Sequence, residues 1–325
     1  MKYINNPQLK TIKEDHEGNI LDDKGRFYNY HKVTRPAFKD ILHWWLNKNP
    51  QKAEKQQDKY YLDSCNDPQL FDRTLNKISW LGHASFLITI NGKNILTDPV
   101  FDKVSGYLKR RSPIPFTIHD YTSIDYILIS HSHYDHLDRY TLTTLAKQNP
   151  DAIIYCGLGH TDLIRKWHIN NTIIEAGWYQ QYPIRDDNIQ FYFMPTLHWS
   201  KRTLKDDNTR LWGSFVIHSS LSTLYFMGDS GYASHFQEIG QLFPSIDYAI
   251  LGVGAYMPRA IMQYSHINPE EAYQAFQDIG AKYLVPMHYA TYNLTDEPFR
   301  EPLTRITQLV DKQLKSNNIG TILPL

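Results

Sequence analysis

Between residues 77 and 287 the chain is a succession of short apolar runs, and several of them stop on a histidine or an aspartate. DYILIS (125–130) leads straight into HSHYDHLD (131–138), and IQFYFMP (189–195) is soon followed by His198. TLYFMGD (223–229) ends on Asp229, and KYLVPM (282–287) gives way to His288. Runs of this length bounded by turn residues read as buried strands. Strands that end on such residues converge them on one edge of a sheet, so the fold must be built of sheets with a polar edge.

The remaining runs agree. KISWLGHASFLITINGKNILTDPV (77–100) reads as two strand-like runs joined at Asn91-Gly92, a strong hairpin signal. AIIYCGL (152–158), NTIIEA (171–176), GSFVIHS (213–219) and DYAILGV (247–253) are further strand candidates. Helix-like segments fall between them, notably 138–148 and NPEEAYQAFQDIG (268–280), where Asn268 caps, Pro269 opens and Gly280 closes. Mixed strands and helices over this span predict an α/β (α+β) fold of sheets covered by helices.

In HSHYDH, His131 and His133 are two apart on a segment leaving a strand, so an extended backbone points both rings the same way. Asp135 and His136 follow as the chain turns towards the next helix and aim at a neighbouring point. A lone strand-end histidine is more often a packed or surface residue. The compact HxHxDH pattern followed by His198, Asp229 and His288 makes a cage for paired zinc ions. The expected assignment is His131, His133 and His198 on one ion and Asp135, His136 and His288 on the other, with Asp229 bridging. Iron and manganese fit such ligands as well.

Before residue 76 the texture differs. Residues 1 to 30 are polar and read as a loose arm. PAFKDILHWWLNK (36–48) reads as a short helix with Phe38, Ile41, Leu42, Trp45 and Leu46 on one broad face, and 49–68 is a charged connector. Residues 1–75 are therefore expected to be an arm and helix on or near a main domain at 76–325. The Trp44-Trp45 helix either packs on that domain or grazes a membrane interface.

Bulk properties exclude several classes. Lys+Arg and Asp+Glu both number 34, so no global charge draws the chain to nucleic acid. Cys65 and Cys156 are the only cysteines, too few for a disulfide framework or a thiolate cluster and suited to a reducing cytoplasm. The N-terminus has no apolar signal-peptide core, and no stretch approaches the roughly 18 apolar residues of a membrane span. The expectation is a cytoplasmic protein, at most peripheral to a membrane. Aromatic residues make up 14%, which leaves rings to line an apolar groove.

From about Lys24-Gly25-Arg26-Phe27 onward the chain resembles the metallo-β-lactamase superfamily, and most closely its branch of N-acylphosphatidylethanolamine-hydrolysing phospholipases D. The matching strings are WLGHAS (80–85), LTDPVF (96–101), RRSP (110–113), SHSHYDHLD (130–138) and HWSKRTLKDDN (198–208). They continue with LWGS (211–214), GDSGY (228–232), GAYMPR (254–259) and HINPEEA (266–272). Ser132 and Ser230 differ from the residues of that pattern, and the last ligand lies in MHYATY (287–292) rather than a Trp-containing version. None of these departures removes a ligand.

The resemblance implies a four-layered αββα sandwich with an N-terminal extension, two metal ions at one edge and a phospholipid substrate. Paired zinc ions about 3.5–4 Å apart hold a bridging hydroxide at neutral pH, which would attack phosphorus in line while an alkoxide leaves. Asp135 would ligate and orient that nucleophile. His266 matches a position near the site, where it contacts a phosphoryl oxygen or protonates the leaving alkoxide. His83, between two strands, is expected to support the ligands rather than join them. Arg110 and Arg111, with Tyr256 in GAYMPR, are set against the substrate, although a basic run is more commonly a solvated turn. Homodimerisation is a further expectation of the resemblance.

Two other readings use the same residues. A lactonase or other ester hydrolase has the same metals, but RRSP, HWSKRT and GAYMPR favour the phospholipase branch. A non-catalytic metal- or lipid-binding protein would be expected to have lost a ligand, and all seven are present. A nuclease is disfavoured by the balanced charge.

Overall fold

Residues 2–29, far from being a loose arm, are largely tied down. The computed structural model describes residues 2–29, 31, 36, 38–47, 49–185, 188–315 and 318–325. In it β1 (Lys2–Ile4) pairs antiparallel with β3 (Asn19–Leu21), while β2 (Lys10–Thr11) reaches the edge of a large sheet at Gln180 and Gln181. No local apolar pattern announces these strands, and the partner of β2 lies far along the chain. The Gln180 amide donates to the carbonyls of Asn6 and Leu9, and the buried Asn19 amide donates to Ile4. α1 (Phe38–Leu46) follows, and part of the charged connector coils into α2 (Lys52–Gln57).

The first large sheet contains β4 (Lys77–Gly82), β5 (Ser85–Ile90), β6 (Lys93–Thr97), β7 (Tyr126–Ile129), β8 (Ile153–Gly157) and β9 (Ile173–Ala176). Between its parallel members run α3 (Arg139–Gln148) and α4 (Thr161–Arg165). The first of the two runs expected over 77–100 is itself broken. Gly82 and His83 take positive φ of 98° and 55°, turning β4 back on β5. The turn at Asn91-Gly92 is as expected, with φ of 51° and 71°.

The second sheet holds β10 (Gln180–Gln181), β11 (Gln190–Met194), β12 (Ser214–His218) and β13 (Thr223–Phe226). α5 (His235–Leu242) leads to β14 (Tyr248–Gly252), then α6 (Arg259–Met262), α7 (Pro269–Ile279) and β15 (Tyr283–Met287). α8 (Glu301–Leu309) and β16 (Ile322–Pro324) close the chain, β16 pairing with β4. The strand orders are β16-β4-β5-β6-β7-β8-β9 and β15-β14-β13-β12-β11-β10-β2. α7 is capped as its sequence predicts: Asn268 and Glu271 form a reciprocal capping box, and Gly280 ends it at φ 70°.

Alternation sets the layers. Along β5 to β8, Phe86, Ile88, Ile95, Tyr126, Leu128, Ile153 and Tyr155 face Phe191, Phe193, Phe215 and Ile217 of the other sheet in one core. Their neighbours Leu87, Leu96, Ile127, Ile129 and Ile154 turn the other way, onto Leu142 and Leu145 of α3 and Ile164 of α4. On the far side, Phe236, Ala272, Phe276 and Ile306 bring α5, α7 and α8 onto the second sheet. The result is an αββα sandwich. β6, β7, β11, β13 and β15 all deliver their C-terminal ends to the same edge.

Candidate metal centre

Asp98 and all seven ligands expected from the sequence leave those strand ends. Asp98 follows β6, the 131–136 loop follows β7, and His198, Asp229 and His288 follow β11, β13 and β15. The approach is tight: at Gly228, φ is 61° and a Cβ would lie 2.6 Å from the Cβ of Ser130, so only glycine admits Asp229 here.

The side chains gather into two adjoining groups, His131, His133, His198 and Asp229 in one and His83, Asp135, His136 and His288 in the other. His133 Nδ1 lies 2.9 Å from His131 Nε2 and 3.2 Å from His198 Nε2. In the second group His136 Nε2 is 3.2 Å from His288 Nε2, and Asp135 Oδ2 is 3.6 Å from each of those nitrogens. Asp229 faces both groups. Its Oδ2 is 3.1 Å from His136, 3.7 Å from His198 and 3.8 Å from His131, while Oδ1 is 3.2 Å from His288.

These spacings suit a cation. A tetrahedral ion with bonds of roughly 2.0–2.1 Å has ligand–ligand edges of about 3.3 Å. Imidazole nitrogens meeting lone pair to lone pair otherwise repel. Two of the other ring nitrogens are held as ligands require: His198 Nδ1 donates to the Ser265 carbonyl at 3.0 Å, and His136 Nδ1 lies 2.7 Å from Asp98 Oδ2, whereas His133 Nε2 and His288 Nδ1 are buried without a hydrogen-bond partner among the described residues.

Electrostatics point the same way. Burial and the neighbouring imidazoles hold His131 and His198 far below the ordinary histidine range, and burial takes His133 down to about 4. Burial opposes the charge on Asp135 and Asp229, but the surrounding histidines outweigh it and keep both carboxyls ionised. Burial would likewise lower His288, yet Asp229 and Asp135 push it up to about 9. Two buried carboxylates ringed by imidazoles are thus a site for positive charge.

His83 lies closer to the ligands than its sequence role implied. Its Nε2 is 3.0 Å from Asp135 Oδ2, its backbone N–H donates to Thr291 Oγ1 at 2.8 Å, and its ring is 3.9 Å from that of His288. His266 sits at the margin, Nδ1 3.8 Å from Asp229 Oδ2, and burial lowers it to about 4. Asp98, Ser200 and Arg202 also touch this assembly, although sequence reasoning assigned them no role; their signals were the strings LTDPVF and HWSKRTLKDDN and, for Asp98, its place at a strand end. Ser132 and Ser230, the departures from the family pattern, are both partnered, by Ser200 at 2.7 Å and by Leu197, Gly231 and His235 at about 3 Å or less.

The three residues set against a substrate are elsewhere. Arg110 is partly buried, and its guanidinium donates to the carbonyls of Leu81, Val100 and Ser112, which it straps together. Arg111 stacks 3.4 Å over Phe299 and donates to the Tyr60 carbonyl at 2.8 Å. Tyr256 is fully buried with its hydroxyl on Glu301. None lines the cavity over the ligands. In the basic run, the Arg110 and Arg111 guanidiniums are engaged by backbone carbonyls and the Phe299 ring, while Lys109 is exposed.

That cavity has a volume of about 940 Å³. Its floor includes His133, Asp135, His198, Asp229, His266 and His288, and Ile41, Trp44, Val104, Ile261, Met262 and Leu294 are among its walls. Trp44 is anchored by its indole N–H on Asp296 at 2.8 Å; the side chain of Trp45 lies outside the described residues. Of the apolar face expected on α1, Ile41, Leu42 and Leu46 are exposed, Leu46 to 71%; the side chain of Phe38, like that of Trp45, lies outside the described residues. No helix among the described residues is long and apolar enough to cross a membrane.

Comparison with known proteins places this geometry. A family model described as a beta-lactamase superfamily domain matches residues 93–289. The chain is 31% identical over 263 residues to N-acyl-phosphatidylethanolamine-hydrolyzing phospholipase D 1 of Caenorhabditis elegans, covering 75% of this chain and 73% of that protein. It is 31% identical to the mitochondrial N-acyl-phosphatidylethanolamine-hydrolyzing phospholipase D of Saccharomyces cerevisiae over 72% of this chain, spanning 51% of the yeast protein. Among solved structures, a metallo hydrolase of Ignicoccus hospitalis superposes with a TM-score of 0.58 at 21% identity, over 77% of this chain and 97% of that one, which speaks to the fold alone.

Proposed function

The chain belongs to the metallo-β-lactamase superfamily, and on that premise we propose that it is a phosphodiesterase of phospholipase D type, releasing an N-acylethanolamine and phosphatidic acid from N-acylphosphatidylethanolamine. The observation that carries this reading is the cavity: a polar floor of ligands beneath apolar walls, which suits a phosphodiester with acyl chains better than a small hydrophilic lactone. Similarity to the nematode enzyme over most of both chains supports the same substrate class.

His131, His133 and His198 would hold one cation, Asp135, His136 and His288 a second, and Asp229 would touch both. Two such ions, zinc by preference with iron or manganese as alternatives, would, when bound, make a water nucleophile available at neutral pH and offset charge on a phosphoryl group. The protein's own groups do the rest. Asp135, ionised and held by His83, is placed to orient the attacking water. His266, kept neutral by burial, presents an N–H suited to a phosphoryl oxygen; protonating the leaving alkoxide would need the imidazolium that burial disfavours. Ile261, Met262 and Leu294 exclude water from the acyl chains. Exposed Leu204, which lines the cavity, would rest on a lipid surface together with exposed Leu46 and Tyr107, whose chain neighbours Trp44 and Val104 line it.

The test is product analysis by mass spectrometry. Zinc-loaded protein is given N-acylphosphatidylethanolamine in mixed micelles, with His133→Ala controlling for contaminating activity. Metal-dependent release of both products is expected. A fully metallated protein that turns over simpler phosphodiesters or lactones but not this lipid would overturn the substrate and leave the metal centre standing.

A further inference from the structure

Arg202 belongs to neither ligand group, yet its guanidinium spans the loop that supplies four ligands. Nη1 donates to the carbonyl of Ser132 at 2.9 Å and to that of Leu137 at 2.6 Å. Ser132 lies between His131 and His133, and Leu137 follows His136, so one nitrogen ties the beginning of the loop to its end. The contact is reciprocal. Tyr134, in the middle of the loop, donates its hydroxyl to the Arg202 carbonyl at 3.1 Å, and the guanidinium carbon stands 3.9 Å from the Tyr134 ring centroid and 5.3 Å from that of Trp167.

A second tie joins the same two segments. Ser200 Oγ lies 2.7 Å from Ser132 Oγ and accepts the Ser132 N–H at 3.3 Å. Ser200 and Arg202 directly follow His198, so both ties fasten the His198 segment to the loop of His131 and His133. The turn carrying Arg202 is itself fixed: Asp206 accepts the N–H groups of Arg202 and Thr203 at 3.0 and 2.7 Å and pairs with Arg210 at 2.9 Å.

We propose that Arg202 is a positioning residue that locks the 131–137 loop to the His198 segment, setting the three imidazoles of the first group at ion-binding spacing before an ion arrives. This rests on reading the two groups as a metal centre. A loop free to move would pay its ordering entropy on binding and hold an ion more weakly; a loop already strapped does not. Lysine cannot replace the strap. Its ammonium offers no plane to lie on Tyr134, and its flexible stem does not fix the directions of two carbonyls together.

The experiment measures zinc affinity of the full chain by competition with a chromophoric chelator, well below the unfolding temperature, for wild type, Arg202→Ala, Arg202→Lys and Ser200→Ala. The cobalt(II) absorption spectrum reports ligand geometry in parallel. Arg202→Ala is expected to weaken the first-group ion about 10–100-fold and alter the cobalt spectrum. Arg202→Lys should not restore affinity, whereas added guanidinium ion should restore part of it to Arg202→Ala. Ser200→Ala should shift affinity in the same direction by a smaller factor. Folded Arg202→Ala binding both ions within about twofold of wild type, with an unchanged cobalt spectrum, overturns the proposal even if its melting temperature falls. If Arg202→Ala does not fold, Ser200→Ala decides: weakened binding supports the strap and wild-type affinity rejects it. Failure of the metal reading shows separately, as a wild-type chain that takes up no ion.

Discussion

His136 Nδ1 lies 2.7 Å from Asp98 Oδ2, with both side chains completely buried. Asp98 also accepts the N–H and hydroxyl of Ser130 at 2.7 and 2.5 Å, so its carboxylate is fixed from two sides. With an ion bound, Asp98 would keep the His136 proton on Nδ1 and leave the Nε2 lone pair for the ion, on the side of His288 and Asp229. Asp98→Asn preserves the shape but presents an amide that can donate to Nδ1 and favour the wrong tautomer. Metal affinity is expected to fall about 10–100-fold in a folded protein, read by chelator competition. Unchanged affinity would mean that the carboxylate has no part in aiming His136.

Removing metal should cost global stability. The two groups join loops from both sheets, and an ion bound only by the folded state stabilises it in proportion to the logarithm of its concentration over Kd. At 100 times Kd this is about 2.7 kcal/mol for each site. Thermal unfolding of chelator-stripped protein should therefore begin several degrees lower and recover on adding zinc. A melting temperature indifferent to zinc at saturating concentration would show that these groups do not hold it.

Local chemistry made much of this legible and long-range chemistry hid the rest. The strand at 126–129 and the ligands at 131–136 are adjacent in sequence, so an apolar run and a polar motif disclosed both at once. Asn91-Gly92 and the Asn268 cap likewise carry their instructions within a few residues. Arg110 does not: the three carbonyls it straps come from residues 81, 100 and 112, and nothing near RRSP says that the side chain goes inward. β2 is recognisable only through Gln180, some 170 positions away. Arg202 stands beside His198 in the sequence, but its role depends on carbonyls whose direction only the folded loop defines.

His160 offers a pH test away from the ligands. It is fully buried, its Nδ1 donates to the Gly157 carbonyl at 2.8 Å, and burial pushes its pKa down to about 3. An unfolded histidine titrates near 6.5, so below that pH the unfolded chain binds the extra proton. The stability His160 supports is complete above about 6.5 and is lost as pH falls towards 3. At pH 5 the loss is about 2 kcal/mol. Urea unfolding of zinc-loaded wild type and His160→Gln at pH 7.5 and pH 5 isolates it: wild type should lose more stability than the variant by that amount. Equal losses would mean that His160 does not stay neutral in the folded protein.

The exposed face beside the cavity mouth predicts lipid binding. Leu46 is 71% exposed at the end of α1, whose Ile41 and Trp44 line the cavity, and Tyr107 is 79% exposed a few residues after Val104, another lining residue. Burying a leucine in the acyl region gains about 1.5–3 kcal/mol, so its loss should weaken vesicle binding roughly 10-fold or more. Leu46→Asp also places a charge where hydrocarbon would be. Because the side chain is solvated in the free protein, folding stability should change by no more than about 0.5 kcal/mol. Co-sedimentation with phosphatidylcholine vesicles measures the difference. Wild-type protein left wholly in the supernatant, or a variant that sediments as wild type does, would reject this face as the one that meets lipid.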